Sequence, residues 1–401
     1  MPNRKTLMII GAGWEQIPLL ETAKRNGYTV LATDPNPHAA GFSYADATEL
    51  LDPRDLRRAL LLAKSYGIHG VTADQCDYSH FAAVYLGKCL GLPHDGLEAA
   101  QVTTNKRWMR EHSREGHILQ PRFFACRTFD EVKAASEIID YPLIVKPVDN
   151  RGSFGVHRVD QPEELEAAYL DALLNAHSRE VLVEAYIEGT HITVDGCVDQ
   201  EGRHHNLAIA TKRVLPGEKP IITEVFYPAE VTPETRDYIL KTNQDVISAL
   251  GIRAGATHSE YIVDDRGRCF LVETANRGGG VLTSGKIIPH LTGVDVSSLL
   301  VANAMQTSYE VKPESRETAV MLTFFVFPSG QVKRIAGVER VAGMDGVLHF
   351  SLLIAPGQEL TTPESGAGRH GFAILAGRNR EEIEALRANV QAAIEIEYEA
   401  Q

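Results

Sequence analysis

The segment from Glu260 to Glu273 constrains the fold more than any other part of the chain. Two apolar runs flank an Asp-Asp-Arg-Gly turn, a pattern that predicts an antiparallel β-hairpin. A symmetric turn places Glu260 directly opposite Glu273, as it places Val263 opposite Phe270. Directly opposed residues have Cβ atoms about 4.5–5.5 Å apart, where two carboxylates repel each other. The hairpin therefore predicts a cation between the two glutamates.

Magnesium suits such a pair, because it takes one or two protein carboxylates and completes its octahedron with water and phosphate oxygens. Mn²⁺ can replace it. The prediction depends on register, since a slip of one residue sends Glu260 and Glu273 to opposite faces. Arg277 then adds a planar guanidinium suited to a phosphoryl or carboxylate group, ahead of three glycines. A surface ion pair beside a flexible loop is the alternative interpretation of Arg277.

A lysine followed by a glycine-bearing loop lies upstream of the hairpin. Lys146 ends an apolar strand, and the loop after it contains Gly152 and Gly155 before another strand begins. Glycines let successive backbone N–H groups turn towards an anion, and the ammonium group adds a positive charge. The loop lacks the Gly-Lys-Ser/Thr ending of a Walker loop. It predicts a phosphate-binding loop, with an ordinary glycine hairpin as the alternative.

The first strand–turn–helix unit resembles a dinucleotide-binding turn but lacks one of its glycines. Gly11 and Gly13 form the turn, and Asp34 follows about twenty residues on. Gln16 stands where the third glycine lets the helix pack on the strand. The turn is therefore expected to shape part of a substrate pocket, and an NAD(P)-dependent oxidoreductase built on Gly11 stays open as an alternative of another class.

Composition excludes several classes of protein. A chain of 401 residues that is 44% hydrophobic can bury two or three cores. A formal net charge of −13 without clustered Lys and Arg argues against nucleic-acid binding. No apolar segment is long enough to span a membrane and no secretory signal opens the chain, so we expect a cytoplasmic protein without membrane association. Five scattered cysteines indicate buried thiols in a reducing compartment.

The order of apolar runs predicts an α/β and α+β multidomain protein. Strand-like and helix-like runs alternate through the first hundred residues, which predicts a parallel α/β unit. A helical linker over 96–115 leads to a short α+β module that carries the glycine loop. From His191 the strands become longer, and after about Ser315 several strands precede a closing helix over 380–394.

Four motifs in this order resemble the ATP-grasp superfamily, and within it the carboxylate–amine ligases of the L-amino acid ligase and carnosine synthase kind. They are TNKRWMR from Thr104, IVKPVDNRGSFGV from Ile144, VLVEAYIEG from Val181 and GATHSEYIVDDRGRCFLVETANRGGG from Gly255. The resemblance covers nearly the whole chain and implies three parts. They are a pre-ATP-grasp parallel α/β domain (1–96), a two-part ATP-grasp region (97–315, with a lid subdomain at 121–187 and a larger subdomain at 188–315) and a C-terminal β-rich α+β segment (316–401) that packs on the larger subdomain.

The resemblance assigns one group of residues to ATP. Two lysines and a flap would contact the phosphates, a hinge would meet the adenine edge, and a histidine replaces the usual ribose-binding glutamate, since an imidazole can also bond a hydroxyl. These residues are Lys106, Lys146, Ser153, Glu184, Ala185, Ile187 and His191.

The hairpin matches the family's metal site. Glu260 and Glu273 correspond to the magnesium ligands, and Arg277 to the residue that stabilises an acyl-phosphate. Ala275 stands where many members have an asparagine. Asn276 comes one place late and is expected to face the other way.

The implied activity is an ATP- and Mg²⁺-dependent ligase that activates a small carboxylate as an acyl-phosphate and joins it to an amine. Lys146 and Arg277 would be its catalytic residues. The candidate substrate contacts are Glu15, Asp34, Asp77, His258 and Gly279. His258 is alternatively a satisfied core residue. Lys212 and Arg213 are expected in a second mobile loop or in a solvated charged turn.

Three questions stay open at this point. Bicarbonate or formate can replace the organic acid in the superfamily, and a nucleotide-binding module without activity has the same fold. A homodimer is compatible with the resemblance, but no feature of the sequence indicates one. The identities of the carboxylate and the amine depend on loops that fit no transferable pattern.

Overall fold

The N-terminal part forms a four-stranded parallel sheet in a computed structural model that describes residues 4–150, 152, 154–214, 221–363 and 366–399. Its strands have the order β3-β2-β1-β4. The elements are β1 Thr6–Ile10, α1 Ile17–Arg25, β2 Thr29–Asp34, β3 Ala47–Leu50, α2 Leu56–Ser65, β4 Gly70–Thr72 and α3 Asp77–Leu90. Helices cover the sheet, so β1 is buried along most of its length. Sequence patterning missed β3, a short, partly exposed edge strand with little apolar character.

Two helices replace the single helix predicted for the linker: α4 Leu97–Thr103 and α5 Lys106–Glu115. Asn105 separates them, because its side chain accepts from the backbone N–H of Trp108 at 3.1 Å and so caps α5. The N–H of Lys106 donates to the carbonyl of Val148 at 2.7 Å. The start of α5 is thereby tied to the lysine loop.

A four-stranded antiparallel sheet, which we call the lid sheet, follows the linker in the order β5-β8-β6-β7. Its elements are β5 Phe123–Cys126, α6 Phe129–Ile138, β6 Leu143–Pro147, β7 His157–Val159, α7 Leu165–Leu174 and β8 Val181–Ala185. Both helices pack against this sheet around a core of their own that includes Val132, Val145 and Ala168. The predicted flap connects β6 to β7.

The rest of the chain builds one large antiparallel sheet and a small one. The large sheet has the order β13-β12-β9-β10-β11-β14-β18-β16, and the small one β17-β15-β19. The strands are β9 Thr190–Val198, β10 His204–Val214, β11 Ile222–Tyr227, β12 Gly255–Val263, β13 Cys269–Ala275, β14 Ala319–Phe325, β15 Gly330–Ala336, β16 Val347–Leu352, β17 Glu359–Leu360, β18 Gly371–Gly377 and β19 Glu395–Tyr398. The helices are α8 Pro233–Ala249, α9 Ile288–Thr292, α10 Val296–Met305, α11 Val338–Ala342 and α12 Arg380–Ala393.

The C-terminal segment continues the large sheet, because β14 pairs with β11 from Glu224↔Thr323 to Tyr227↔Val320. The large sheet therefore extends across the predicted division at 315, and the proposed domain limits stay predictions. In the described part of the chain no single helix has the length and apolar character of a membrane span. One bent pair, Thr283–Thr292 with Val296–Met305, meets that test only when both helices are counted together.

The predicted hairpin forms, and its two glutamates are paired. Glu260 pairs with Glu273 between β12 and β13, as predicted. The predicted pairing of Val263 with Phe270 is wrong, since Val263 pairs with Cys269. A register shift between Glu260 and Tyr261 reconciles the two observations, because one strand contains an additional residue there. This bulge returns the two glutamates to the same face.

A buried arginine joins the lid sheet to the large sheet. Arg110 on α5 is fully buried and donates to Glu184 at 2.8 Å through Nε, and to the carbonyls of Leu271 and Val272 at 3.1 and 2.8 Å. Lys146 Nζ lies 2.6 Å from the other oxygen of Glu184. Burial opposes ionisation, but the two cations lower the pKa of Glu184 to about 2. One carboxylate thus satisfies two buried cations.

We expect Glu184→Gln to be less stable than the native protein by about 3 kcal/mol at neutral pH, because Arg110 and Lys146 lose their shared anion. The folded pKa of Glu184 lies below its unfolded value, so the carboxylate's contribution is full above about pH 4.5 and is lost as pH falls through about 2. Urea unfolding at several pH values should show the gap between the two proteins narrowing towards acid.

Glu137→Gln is the matched control, since Glu137 is exposed on α6. It should shift the free energy of unfolding by less than about 0.5 kcal/mol. A gap between Glu184→Gln and the native protein that stays constant with pH would contradict the assignment of the stabilisation to the ionised carboxylate.

Candidate functional site

A cleft of about 440 Å³ lies between the lid sheet and the large sheet. One part of its wall is apolar, and the other end carries lysines and glutamates, an arrangement that fits a flat base at one end and phosphates at the other. The apolar lining includes Pro121, Ile144, Phe154, Val156, Ile187, Ile262 and Val272. The charged lining includes Lys106, Lys146, Glu184, Glu260 and Glu273.

Two lysines converge on the charged end of the cleft. Lys146 is buried, and burial lowers the pKa of its ammonium below the ordinary value although Glu184 lies beside it. Lys106 donates to the carbonyl of Asn150 in the lysine loop at 2.7 Å. Its Nζ also lies 3.3 Å from Glu273 Oε2. The structure thus brings together both lysines that were predicted to contact phosphates.

The paired glutamates fit a divalent cation. Glu260 forms an ion pair with Lys212, and Glu273 forms one with Lys106, so each carboxylate already has a positive neighbour. Burial opposes ionisation of Glu260, but Lys212 and His258 hold the pKa of this carboxyl well below its ordinary value. Two ionised carboxylates on one face are the protein ligands that Mg²⁺ takes when water and phosphate complete its shell. No group of three or more His, Cys, Asp or Glu side chains with metal-binding geometry occurs in the described ranges.

Asn276 does not contribute to this carboxylate pair. Its amide donates to the carbonyls of Ala254 and Ala256 at 3.0 and 3.1 Å, and the residue is buried. The expectation that Asn276 faces away from the metal site agrees with these contacts.

A hydrogen-bonded chain extends from Glu260 into the large sheet. His258 Nε2 lies 3.3 Å from Glu260 Oε1, and its Nδ1 lies 2.7 Å from Asp195 Oδ1. Tyr227 donates to the other oxygen of Asp195 at 2.7 Å. Burial opposes protonation, but the Asp195 carboxylate raises the pKa of His258 above its ordinary value. A Cβ at Gly279 would lie 2.8 Å from Asp195 Oδ1, so the glycine loop packs on this chain.

Arg277 pairs with the N-terminal domain. Its Nε and Nη2 donate to the two oxygens of Asp77, at the start of α3, at 3.0 and 3.1 Å. The next residue, Gly278, donates its N–H to buried Asp74 at 2.9 Å. A Cβ on Gly278 would lie 2.4 Å from Ser284 Cβ, so only glycine fits there. These contacts fix the arginine relative to the cleft.

The two remaining candidates in the first domain have structural partners. Asp34 accepts from the backbone N–H groups of Ala12 and Asn36, both at 2.9 Å, and so braces the Gly11 turn. Glu15 accepts from the N–H of Val281, directly after the three glycines. Asp34 therefore braces its own domain, whereas Glu15 lies beside the glycine loop.

The predicted hinge residues line the cleft. Glu184 directs its carboxylate to Arg110 and Lys146, and the N–H of Ala185 donates to the carbonyl of Arg122 at 2.9 Å. The N–H of Ala185 and the carboxylate of Glu184 therefore already have protein partners. His191 lines the same cleft, and burial lowers the pKa of its imidazole. Ser153 lies outside the described residues.

Sequence reasoning missed two of the contributing side chains, Arg110 and Asp195, and misplaced a third, Lys212. Arg110 follows Lys106 by four residues and so shares its face of α5, a signal that was available but was not used. Asp195 is a lone acid in an apolar strand, which is a second such signal. The segment 211–220 was expected to be a mobile loop or a charged turn. For Lys212 and Arg213 this is wrong, because β10 continues to Val214, and residues 215–220 lie outside the described ranges.

Comparison with known families agrees with this architecture. Residues 139–285 match the ATP-grasp domain, and residues 323–399 match the L-amino acid ligase C-terminal domain 2. The crystal structure of an L-amino acid ligase from Bacillus licheniformis superposes with a TM-score of 0.84 at 24% identity, and the alignment covers 100% of both chains.

Two curated relatives carry different activities in their names. A D-alanine–D-alanine ligase of Geotalea uraniireducens is 24% identical over 238 residues, which cover 55% of this chain and 73% of that protein. A formate-dependent phosphoribosylglycinamide formyltransferase of Burkholderia pseudomallei is 26% identical over 411 residues, covering 98% and 96%. The predicted resemblance and the predicted fold class are confirmed: residues 139–285 match an ATP-grasp domain, residues 323–399 match an L-amino acid ligase C-terminal domain, and the fold is that of the L-amino acid ligase structure.

Proposed function

We propose that this protein is an ATP- and Mg²⁺-dependent ligase that activates a small carboxylate as an acyl-phosphate and joins it to an amine, with release of ADP and phosphate. The observation that carries the proposal is the convergence of Lys106, Lys146, Glu260 and Glu273 at one end of an otherwise apolar cleft. A base fits the apolar part, and the charged end suits a triphosphate with its metal ion. Arg277 adds the charge needed beyond the phosphates.

Positioning and charge neutralisation account for the activation step. Glu260 and Glu273 would hold Mg²⁺, which supplies positive charge to the phosphates when bound. Lys146 and Lys106 would contact the phosphate oxygens, and Arg277 would offset the charge that develops as the carboxylate attacks the γ-phosphorus. Manganese fits the same oxygen ligands. An amine then attacks the acyl carbon and phosphate leaves.

The reaction needs the two ion pairs at the cleft to rearrange. Lys212 and Lys106 neutralise Glu260 and Glu273 in the described structure. A cation between the glutamates would take over that role, which frees the lysines for anionic oxygens. We infer that the lysines keep the charged end of the cleft balanced before nucleotide and metal bind.

A carboxylating or formyl-transferring enzyme is the second candidate. Its support is the formate-dependent formyltransferase, which aligns with 98% of this chain. The L-amino acid ligase C-terminal domain over 323–399 favours an organic acid instead. Both reactions use the same nucleotide site, so the choice rests on the acid that is consumed.

A matrix of carboxylates and amines, assayed for ADP release, separates these candidates. Purified protein with ATP and Mg²⁺ should release ADP only when an organic acid and an amine are both present, and mass spectrometry should show the joined product. Parallel reactions contain ¹³C-formate and ¹³C-bicarbonate. Incorporation of either label into product, without organic acid, would overturn the proposal in favour of the second candidate.

Glu273→Gln should lower the rate of ADP release by about a hundredfold or more, because one of the two proposed metal ligands loses its charge. Initial rates at several Mg²⁺ concentrations measure the effect, and thermal unfolding checks the fold. Glu137→Gln serves as the control and should retain the full rate. Unchanged ADP release by Glu273→Gln would contradict the metal assignment.

Asp77→Asn should lower kcat by roughly tenfold to a hundredfold, because Arg277 loses the bidentate partner that fixes its guanidinium. We expect the KM for ATP to change little, since Asp77 is paired with Arg277 and lies outside the apolar part of the cleft, where the base is proposed to bind. Steady-state kinetics with saturating acid and amine measure both values. A rise in the KM for ATP with constant kcat would show that Arg277 acts in nucleotide binding instead.

A further inference from the structure

A second cavity, of about 280 Å³, lies where the N-terminal domain meets helix α10. Two helices line it with residues at i, i+3 and i+4 spacing, which places each set on one face of its helix. These residues are His80, Ala83 and Val84 on α3, and Leu300, Asn303 and Ala304 on α10. Edge strand β4 adds Val71 and Thr72 to the wall. Among the described residues, the linings of this cavity and of the nucleotide cleft share no member.

The chain crosses α3 closely after the helix ends, and this crossing brings a carboxylate to the cavity. Gly91 caps the helix with a φ of 65°, in the left-handed region that favours glycine. A Cβ on Gly87 would lie 2.8 Å from His94 Cβ, so the crossing needs a residue without a side chain there. Asp95 follows, and its Oδ2 lies 3.9 Å from His80 Nδ1. The acid and the imidazole therefore lie side by side in the wall.

Two nitrogen atoms of the lining are shielded from solvent and have no hydrogen-bond partner in the described ranges. One is Nε2 of His80, a residue that is 4% exposed. The other is Nδ2 of Asn303, whose Oδ1 accepts from Gln200 Nε2 at 3.3 Å, a bond that fixes the orientation of the amide. Buried polar groups in native proteins are almost always bonded. Both side chains line the cavity, so a molecule inside it can reach them.

Asp95 adds a negative charge that its surroundings balance poorly. Its side chain is 16% exposed, and within the part of the chain that the structure describes, His80 is the one basic group within 4.0 Å of it. Burial raises the pKa of Asp95 above its ordinary value, and His80 and His94 oppose this effect only in part. Burial also lowers the pKa of His80, so its ring is neutral at pH 7. An ammonium group beside Asp95 would supply the missing positive charge.

We propose that this cavity binds a small aliphatic α-amino acid, away from the nucleotide cleft. The ammonium group would pair with Asp95, and the carboxylate would accept from Nδ2 of Asn303 and from His80 in its Nε2–H tautomer. The aliphatic side chain would contact the apolar part of the wall, which includes Val71, Ala83, Val84, Leu300 and Ala304. Pockets for drug-sized molecules measure about 300–1,000 Å³, so this cavity suits a small ligand. A zwitterion satisfies the acid and the donors together.

Methyl NMR tests the proposal without turnover. In protein labelled with ¹³C-methyl alanine, Ala83 and Ala304 report the cavity, and Ala12 at the Gly11 turn reports the predicted substrate pocket separately. L-leucine is titrated beside isoamylamine, which lacks its carboxylate, and 4-methylpentanoate, which lacks its ammonium group. Leucine should shift the signals of Ala83 and Ala304. It should bind at least about tenfold more tightly than either analogue, because only leucine forms charge-assisted hydrogen bonds at both ends.

Two isosteric variants separate the two ends of the ligand. Asp95→Asn should weaken the binding of leucine and isoamylamine by about tenfold or more and leave that of 4-methylpentanoate unchanged, because only the ammonium group loses its partner. Asn303→Asp should weaken the binding of leucine and 4-methylpentanoate but not that of isoamylamine, because a carboxylate replaces the amide donor. Asp140→Asn is the matched control, since Asp140 is exposed, and it should bind all three compounds like the native protein.

The same titrations with L-valine and L-alanine cover smaller side chains. Unchanged Ala83 and Ala304 signals with all three amino acids up to about 10 mM would overturn the proposal. Equal affinity for leucine and its two analogues would overturn it as well, since the charged groups would then contribute nothing. Thermal unfolding checks each variant, and should Asp95→Asn not fold, Asn303→Asp and the native titrations still decide. Because no ATP is present, the result is independent of the proposed ligase function.

Discussion

The buried contact between Arg110, Glu184 and Lys146 is the interaction on which the geometry of the cleft depends. Three different parts of the chain meet there: helix α5, the lid sheet and the carbonyls of β13. Removing charges from water is costly, so such a contact persists only when every group is satisfied. Here one carboxylate serves two cations, and two carbonyls accept from Arg110. The lid sheet therefore cannot shift relative to β13 without exposing an unpaired charge.

Oppositely charged side chains are paired in the same way along the cleft. Lys106 reaches both the lysine loop and Glu273, and Lys212 reaches Glu260. Each acidic group at the charged end thus has a basic neighbour on a different strand or helix. Because the partners come from separate elements, binding of an anion or a cation must change several contacts at once. The proposed binding of nucleotide and of metal at this end of the cleft would therefore be thermodynamically linked.

Much of the site could be predicted from sequence because its signals are local. The hairpin pattern predicts that Glu260 lies opposite Glu273, a pairing that the structure reaches through a bulge, and the strand–loop–strand pattern places Lys146 at the loop. The register error at Val263 has a physical cause: a bulge adds one residue without a sequence mark such as glycine. The positions of Arg110 and Asp195 in the sequence mark them as unusual, but their partners Glu184 and His258 are distant in sequence, so no local pattern identifies these contacts. The cap at Asn105 was readable, since an asparagine between two helical runs favours a break.

The glycine turn at Gly11 shows how a familiar pattern can serve a different purpose. Trp14, Glu15 and Gln16 leave little room for a pyrophosphate at this turn. The same three side chains connect the turn to the rest of the protein. Trp14 stacks on Phe372 of the C-terminal segment, Glu15 accepts from the N–H of Val281, and Gln16 donates to the carbonyl of Asp74 at 3.1 Å. Asp74 in turn holds the N–H of Gly278. A third glycine in place of Gln16 would remove one of these contacts and loosen the loop that carries Arg277. The departure from the dinucleotide fingerprint is therefore explained by the position of the arginine, which this domain helps to fix.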